Sequence, residues 1–220
     1  ALKELLDRIY GGPCFLVPNG IDQNIFSPSI LTKNFQEPLQ ILSIGNVDRV
    51  TTGIDDTYTA IRLLKQKGIQ LKFIRVSLYP FNEAEKKYGL VDRFIMGLNE
   101  KEMVELYRNS HILIAPSLWE GFGLPVMEAM SCGLPCILAD SGSYGSLDPV
   151  KDFAYFVPTH SPERIVEGVI KIKNDIDFRE QIITRGLEVS KKYSLENMGN
   201  SLEKALSDIL ENRSSSGCPQ

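Results

Sequence analysis

The sequence is poor in the residues that most often build metal centres and nucleophilic sites, with four cysteines and two histidines in 220 residues. Cys132 and Cys136 flank a Gly-Leu-Pro turn, and a metal held there would need further ligands close by, which this composition hardly supplies. We interpret these cysteines, and Cys14 in a strand-like run, as thiols outside any disulfide, and we expect no metal site. His111 opens a buried strand and His160 lies in a loop, neither beside an obvious nucleophile or acid, so we nominate neither as catalytic.

Clustered positive charge and long apolar runs are also absent. The net charge is -4, and no group of Lys and Arg residues favours binding to nucleic acid or to a membrane through a strongly basic patch. No apolar run approaches the length of a membrane span. A nicotinamide-dependent enzyme is equally unsupported, because Gly45 ends a first strand but no second or third glycine follows at the offsets of a dinucleotide-binding fingerprint.

An acidic pair, Asp175 and Asp177, has the spacing of some metal-binding carboxylates. It lies between two predicted helices, however, and Asp177 with Glu180 makes a capping box. We therefore predict that the pair caps a helix.

The length and composition suit one sizeable domain. With 43% hydrophobic residues, a chain of 220 residues suffices for a single α/β domain with its own core. We expect this domain to span residues 1–213, with 1–12 as the end of a preceding domain or linker and 214–220 as a disordered tail. Since the chain begins at Ala1 inside an amphipathic stretch, we expect it to be a piece of a longer protein.

Strand-like and helix-like segments alternate along the chain. Apolar runs predict strands at 39–45, 70–76, 93–96, 112–115, 136–139 and 153–157. Helices are predicted at 55–67, 99–109, 162–174, 178–191 and 195–211, and Asn99 with Glu102 forms a capping box at the start of the second. This alternation predicts an α/β fold, a Rossmann-like doubly wound parallel sheet.

The most informative segment runs from Ser117 to Met130, with the sequence SLWEGFGLPVMEAM. It follows a buried strand, so it lies at the carboxyl end of that strand. Gly121 and Gly123 allow positive φ and a close approach of the backbone to a ligand, and Pro125 suits the first position of a helix. The partial positive charge of that helix N-terminus would hold a diphosphate without any basic side chain.

Two glutamates, Glu120 and Glu128, bracket this turn. Carboxylates do not attract phosphate, but they accept paired hydrogen bonds from neighbouring hydroxyls, such as those of a ribose or a hexose. The competing interpretation is a solvated or helix-terminal acid beside an ordinary turn. The context favours a site, because a second strand, 136–139, leads into the small-residue loop 140–146 at the same edge. Glycines and glutamates together indicate a nucleotide sugar.

The segment EGFGLPVMEAMSCGLP resembles the signature of the retaining glycosyltransferases of group 1 (family 4), in which seven residues separate two glutamates. Near the start, VPNGID with Phe26 and Pro28 is similar to the entry of that family's C-terminal domain, and Lys192-Tyr193-Ser194 is similar to its closing segment. The resemblance covers almost the whole chain. It implies the C-terminal, donor-binding half of a GT-B enzyme, in which two Rossmann-like domains face a cleft.

The resemblance also implies roles for individual residues. Glu120 would be catalytic, hydrogen-bonding the hydroxyls of the donor sugar, and Glu128 would bind the ribose diol. Backbone amides in the turn that begins at Gly121 would meet the sugar and the diphosphate, namely those of Phe122, Gly123 and Leu124. The remaining donor contacts would come from Gly97 and Leu98, which flank the base, and from the first loop with Gly45 and Asn46.

Two departures from the family pattern concern the donor. The family usually has an arginine after the glycine at Gly45 and a lysine about six residues on, whereas this chain has Asn46 and Thr52. Each lost charge-assisted hydrogen bond would cost about 1 to 3 kcal/mol, so we nominate Arg49, in the same loop, as the substitute. In the loop after Asp140, paired glycines and a glutamate are replaced by Gly142, Ser143, Gly145 and Ser146.

Three functions stay open at this point. The first is the donor-binding half of a retaining, metal-independent glycosyltransferase that needs its N-terminal domain for turnover. The others are a domain that binds a nucleotide sugar without turnover, and a GT-B-like sugar-nucleotide epimerase. The expected partners are a nucleotide sugar and a sugar, lipid or polysaccharide acceptor, with no cofactor and no nucleic acid. We expect a cytoplasmic enzyme of glycan biosynthesis, associated with the inner face of the membrane, if at all, through its other half.

Overall fold

The short apolar runs of the sequence form one parallel sheet in the computed structural model, which describes residues 2–11, 14–29, 34–46 and 50–215. Its six strands are β1 (Leu39–Ile44), β2 (Leu71–Val76), β3 (Arg93–Ile95), β4 (Ile112–Ala115), β5 (Cys136–Ala139) and β6 (Tyr155–Val157). Their order across the sheet is β3-β2-β1-β4-β5-β6, and every neighbouring pair is parallel. The predicted doubly wound fold is confirmed, with the reversal of strand order between β1 and β4.

Helices connect and cover these strands. In chain order they are α1 (Leu2–Tyr10), α2 (Ile54–Gln66), α3 (Glu83–Tyr88), α4 (Glu100–Asn109), α5 (Leu124–Ser131), α6 (Gly142–Gly145), α7 (Pro162–Asn174), α8 (Ile176–Lys192) and α9 (Leu195–Ser215). None of these helices, among the described residues, is both long and apolar enough to cross a membrane.

The core lies on both faces of the sheet, because side chains alternate along each strand. One face buries Leu42, Leu113 and Leu138 against α4, α5 and part of α8. The other buries Ile41 and Ile137 mainly against α2 and α7. Since helices cover both faces, the carboxyl ends of the strands are where a fold of this kind binds a ligand.

Several local predictions are confirmed and others are wrong. The capping box at α4 is present: the Asn99 side chain accepts from the Glu102 amide at 3.1 Å, and Glu102 Oε2 accepts from the Asn99 amide at 2.9 Å. The cap of α8, by contrast, is Asp175, which accepts from the Phe178 amide at 3.0 Å, and Asp177 already lies in the first turn. The helix begins two residues earlier than the sequence pattern indicates, so the capping role moves to the earlier aspartate.

Other differences concern the length and number of elements. Cys14 does not lie in a strand, the last strand begins at Tyr155 and not at 153, and α9 runs to Ser215 instead of ending at 211. Residues 214 and 215 therefore continue α9, and 216–220 lie outside the described residues. The short helices α3 and α6 were not predicted, because six and four residues carry too little periodicity to be recognised.

Candidate functional site

Three loops meet at the carboxyl edge of the sheet, where the strand order reverses. The loop after β1 contacts the loop after β4: the Leu118 amide donates to the Thr51 carbonyl at 2.7 Å, and Ser117 Oγ lies 3.4 Å from the Thr52 carbonyl. The loop after β5 joins them, because Ser141 Oγ donates to the Ser117 carbonyl at 3.0 Å. These bonds hold the three loops together beside β1 and β4. This is the place, called the crevice below, where doubly wound folds bind their ligands.

The N-terminus of α2 also approaches this crevice closely. Gly53 precedes the helix with φ of 64°, and a Cβ on it would lie 2.2 Å from the Pro116 carbonyl oxygen. No side chain fits there, so glycine alone lets α2 begin directly against the loop after β4. The sequence pattern did not single out Gly53.

The first loop begins at Gly45, whose amide donates to the Val76 carbonyl at 3.0 Å and continues the ladder between β1 and β2. Asn46 follows at the same edge, and its carbonyl accepts from Thr52 Oγ1 at 3.0 Å. The hydroxyl of Thr52 thus donates a hydrogen bond within the loop that follows β1. Arg49, the predicted substitute for the missing cations, lies outside the described residues.

The start of α5 forms the second wall of the site. Gly123 is the N-cap with φ of 85°, a proline lies in the first turn, and no acidic residue occupies that turn. No residue of the first turn therefore neutralises the positive end of the helix dipole. Gly121 differs from the expectation, because its φ is not positive and a Cβ on it would meet nothing within 4 Å. Phe122, half-buried, packs edge-on against Tyr193 with ring centroids 5.3 Å apart, and Leu124 is exposed.

Tyr144, in α6, connects Glu120 with this helix start. A Cβ on Gly123 would lie 2.6 Å from Tyr144 Cε1, so the buried phenol ring packs against the N-cap. Burial raises the pKa of Tyr144, the charge of Glu120 raises it further, and a hydrogen bond with Ser117 lowers it. The half-buried Glu120 therefore lies near the helix start, as the sequence predicted. Tyr144 itself was missed, and its only signal was an aromatic residue within a loop of small residues.

Glu128 lies in α5 with its carboxylate fixed by a buried tyrosine. The Tyr107 hydroxyl, in α4, donates to Glu128 Oε2 at 2.8 Å. Burial raises the pKa of Glu128, the bond from Tyr107 lowers it, and the charge of Glu100 raises it. Tyr107 is 21 residues away in the chain, so no sequence pattern could have paired the two.

The residues predicted to flank the base follow β3 at the same edge. Gly97 is exposed with φ of 68°, and Leu98 packs partly into the core. Glu100, two residues on, is close enough for its charge to raise the pKa of Glu128. α4, which follows these residues, therefore lies beside α5, and its Tyr107 contacts Glu128 directly.

Candidate groups away from this edge have structural partners. His111 lies at the opposite, amino end of the sheet, where its Nδ1 accepts from the Gln40 amide at 2.8 Å and its Nε2 is 2.9 Å from the Asn34 carbonyl. Within the described residues, no group of three or more His, Cys, Asp or Glu side chains is arranged to hold a metal ion. Cys14, Cys132 and Cys136 form no disulfide there.

Comparison with known proteins gives a consistent result. The family profile described as "Glycosyl transferases group 1" matches residues 31–189, well over half of the chain. The chain is 30% identical over 105 residues to "O-antigen chain mannosyltransferase B" of Escherichia coli, covering 48% of this chain and 27% of that protein. It is 26% identical over 208 residues to "Probable sucrose-phosphate synthase" of Thermosipho melanesiensis, covering 88% of this chain and 46% of that protein.

A solved structure shares the fold. The C-terminal domain of a glycosyl transferase group 1 family protein (LpcC) from Francisella tularensis aligns with a TM-score of 0.65 at 25% identity, covering 80% of this chain and 100% of that domain. The chain spans less than half the length of the two curated relatives. The region that they share with it is therefore one part of each relative.

Proposed function

This chain belongs to the glycosyl transferases group 1 family, and from that premise we propose that it binds the nucleotide-diphosphate-sugar donor of a retaining glycosyltransferase. The observation that carries the proposal is the convergence at the edge between β1 and β4. Three hydrogen-bonded loops meet there, and α5 begins beside them with no acidic residue in its own first turn. Glu120 lies just before this helix and Glu128 lies within it. This combination suits a ligand with an anionic centre and hydroxyl groups at both ends.

In this proposal each group recognises one part of the donor. The amides at the start of α5, in Phe122, Gly123 and Leu124, bind the diphosphate and the sugar. Glu128, whose orientation is fixed by Tyr107, accepts hydrogen bonds from the ribose diol. Glu120 accepts hydrogen bonds from the donor sugar. The base lies against Gly97 and Leu98.

The proposed reaction transfers the glycosyl group to an acceptor with retention of anomeric configuration. The leaving diphosphate is stabilised by the dipole of α5 in place of a bound metal, because the helix start is preorganised toward the developing charge. The donor phosphate itself helps to deprotonate the acceptor.

The proposal also covers the acceptor and the cellular location of the reaction. The two curated relatives are a mannosyltransferase of O-antigen chains and a probable sucrose-phosphate synthase, which differ in product but share this domain. We propose a sugar, lipid or polysaccharide acceptor bound by an N-terminal domain, so that turnover requires both domains. The proposed place of action is the cytoplasm or the inner face of its membrane.

The test is a calorimetric titration of the protein with UDP, GDP, ADP and dTDP, beside two variants. Glu128→Ala removes the proposed ribose contact. Glu167→Ala is the matched control, since that glutamate lies on α7, pairs with Arg164 at 2.6 Å and is half-exposed. Saturable binding to one nucleotide that is lost only in Glu128→Ala supports the proposal and identifies the base.

The absence of binding to all four nucleotides contradicts the proposed donor site. Product analysis of the full-length protein separates transfer from the alternatives. A free, epimerised sugar nucleotide without transfer would contradict the transferase reaction, and binding without any product would leave only a non-catalytic binding domain.

A further inference from the structure

A buried ion pair lies behind the loop that follows β1. Arg75, in β2, and Glu85, in α3, have side chains that are 0% and 2% exposed, and Arg75 Nη2 lies 2.9 Å from Glu85 Oε1. Two charges are costly to bury unless their remaining donors and acceptors are satisfied. The other partners of the pair are therefore informative about its role.

All five N–H donors of the guanidinium have partners. Nε and Nη2 both donate to Glu85 Oε1, at 3.0 and 2.9 Å. Nη1 donates to the Ser43 carbonyl at 3.0 Å and lies 3.4 Å from the Val76 carbonyl. Nη2 also donates to the Gly45 carbonyl at 3.0 Å. Arg75 thus links α3 to the end of β1 and to Gly45, the first residue of the loop that follows β1.

A tyrosine completes the cluster on its far side. The Tyr58 hydroxyl, in α2, donates to the same Glu85 Oε1 at 2.9 Å. Burial, and then this hydrogen bond, raise the pKa of Tyr58, so the hydroxyl keeps its proton. The Tyr58 hydroxyl therefore supports Glu85, whereas Arg75 holds the Gly45 carbonyl.

The bond to Gly45 sets the direction of the next peptide group. In a trans peptide, the carbonyl of one residue and the N–H of the next point in opposite directions. The Gly45 carbonyl is directed at the buried guanidinium, so the N–H of Asn46 is directed away from that guanidinium. Gly45 has φ of 145°, which glycine adopts at little cost, and this lets the chain turn directly after β1.

We propose that Arg75 is a positioning residue for the diphosphate of the donor, an inference that rests on the proposed function above. It holds the Gly45 carbonyl inward, so that the anion meets the N–H of Asn46 and not a carbonyl oxygen. A hydrogen bond donated to a carbonyl also polarises the peptide and strengthens its N–H as a donor. A buried cation thus supports the site indirectly, through the Gly45 carbonyl. It does so in the loop where Asn46 stands in place of the arginine usual in the family.

The test compares ligands with and without the diphosphate. The full-length protein and its variants are titrated with UDP, GDP, ADP and dTDP and with the matching nucleosides, and the two affinities are compared for the base that binds. Arg75→Met combined with Glu85→Gln removes both charges together, so neither is left buried alone, and the amide oxygen still accepts from Tyr58. Arg75→Lys keeps the charge but has three donors in place of five. Tyr58→Phe is the matched control, because it removes a hydrogen bond of the same cluster and leaves Gly45 held.

We expect both the double variant and Arg75→Lys to bind the diphosphate at least tenfold more weakly, with less than a twofold change for the nucleoside, while Tyr58→Phe keeps both affinities. Circular dichroism and thermal melting establish which variants fold. If the double variant does not fold, Arg75→Lys alone tests the proposal. Unchanged diphosphate affinity, or an equal loss for the nucleoside as a merely structural role would give, overturns the proposal. If the unaltered protein binds none of the nucleotides, the proposed function fails instead, which distinguishes the two failures.

Discussion

Glu128 is a carboxylate whose surroundings act against its charge. Burial raises its pKa above the ordinary 4.5, the hydrogen bond from Tyr107 opposes this, and the charge of Glu100 adds to it. Because the folded-state pKa is raised, the stability linked to this group is present below the ordinary pKa and is lost as the pH rises through the folded-state value. At neutral pH the ionised side chain costs folding free energy, as expected of a group that serves binding.

We predict that Glu128→Gln stabilises the protein and weakens the site. The amide keeps an acceptor for Tyr107 and removes the buried charge, so the free energy of unfolding at neutral pH should rise, by about 1 kcal/mol at most. Nucleotide affinity should fall at least tenfold, because a neutral amide is a weaker acceptor for the ribose diol. Thermal melts across pH and calorimetry measure both effects. The stability gain should shrink on acidification, and a loss of stability at neutral pH would contradict the argument.

Tyr107→Phe should shift the pH dependence of nucleotide binding. Its hydroxyl lowers the pKa of Glu128, so removing it raises that pKa and leaves Glu128 protonated at higher pH than in the unaltered protein. Binding that needs the ionised carboxylate is then lost at a higher pH on acidification. Titrations from about pH 8 down to about pH 5 measure the midpoint. Tyr193→Phe is the control, since that hydroxyl donates to the Leu147 carbonyl at 2.9 Å, and identical profiles for Tyr107→Phe would count against the proposed contact.

At the scale of elements, the start of α5 depends on one glycine and not on its neighbour two residues before. Gly123 combines φ of 85° with direct packing against the buried Tyr144 ring, whereas a Cβ on Gly121 meets nothing within 4 Å. The sequence predicted both glycines as a pair. The difference between them arises from α6, which places an aromatic ring against only one of them.

Gly123→Ala should therefore destabilise the protein by about 2 kcal/mol or more, because it strains the backbone and displaces a buried ring. It should also abolish nucleotide binding, since the amides at the start of α5 would move. Gly121→Ala is the matched control and should change the free energy of unfolding by less than about 0.5 kcal/mol. Denaturant titration of the two variants checks the contrast, and equal effects would show that the contact with Tyr144 does not matter.

Across the whole molecule, both core clusters contain residues of the same strands, so the loops at the strand ends are coupled to the whole core. A ligand bound at the edge between β1 and β4, as proposed, would contact loops that follow strands of both core clusters. Ligand binding to the folded state should therefore raise the stability of the entire domain.

We predict a rise in melting temperature of roughly 5 to 10 °C when the nucleoside diphosphate is present at about one hundred times its dissociation constant. This follows from a stabilisation of about 2.7 kcal/mol, with roughly 2 to 4 °C per kcal/mol at this chain length. Differential scanning calorimetry measures the shift. Glu128→Gln, with its affinity at least tenfold lower, should lose about half of the shift or more at the same nucleotide concentration, and a shift of equal size in that variant would indicate binding elsewhere.

The amino-acid sequence was enough to predict the strands, most helices, the order of the αβ units and the segment with Glu120 and Glu128, because these depend on local periodicity, caps and glycine placement. The capping box at Asn99 and Glu102 is an example, since its residues are three apart and interact within one turn. Local patterns also explain the errors: Asp175 and Asp177 are equally suitable caps by sequence, and the start of α8 at Ile176 gives the capping role to Asp175.

The distant side chains that support the site could be identified only from the folded chain. Tyr107 holds Glu128, Tyr144 packs on Gly123, and Arg75 holds the Gly45 carbonyl, each across 20 or more residues of chain. Such pairs arise from the order of strands in the sheet and from the packing of helices on it. Contact across a fold leaves no period in the sequence, so these partners became visible only when the chain was folded.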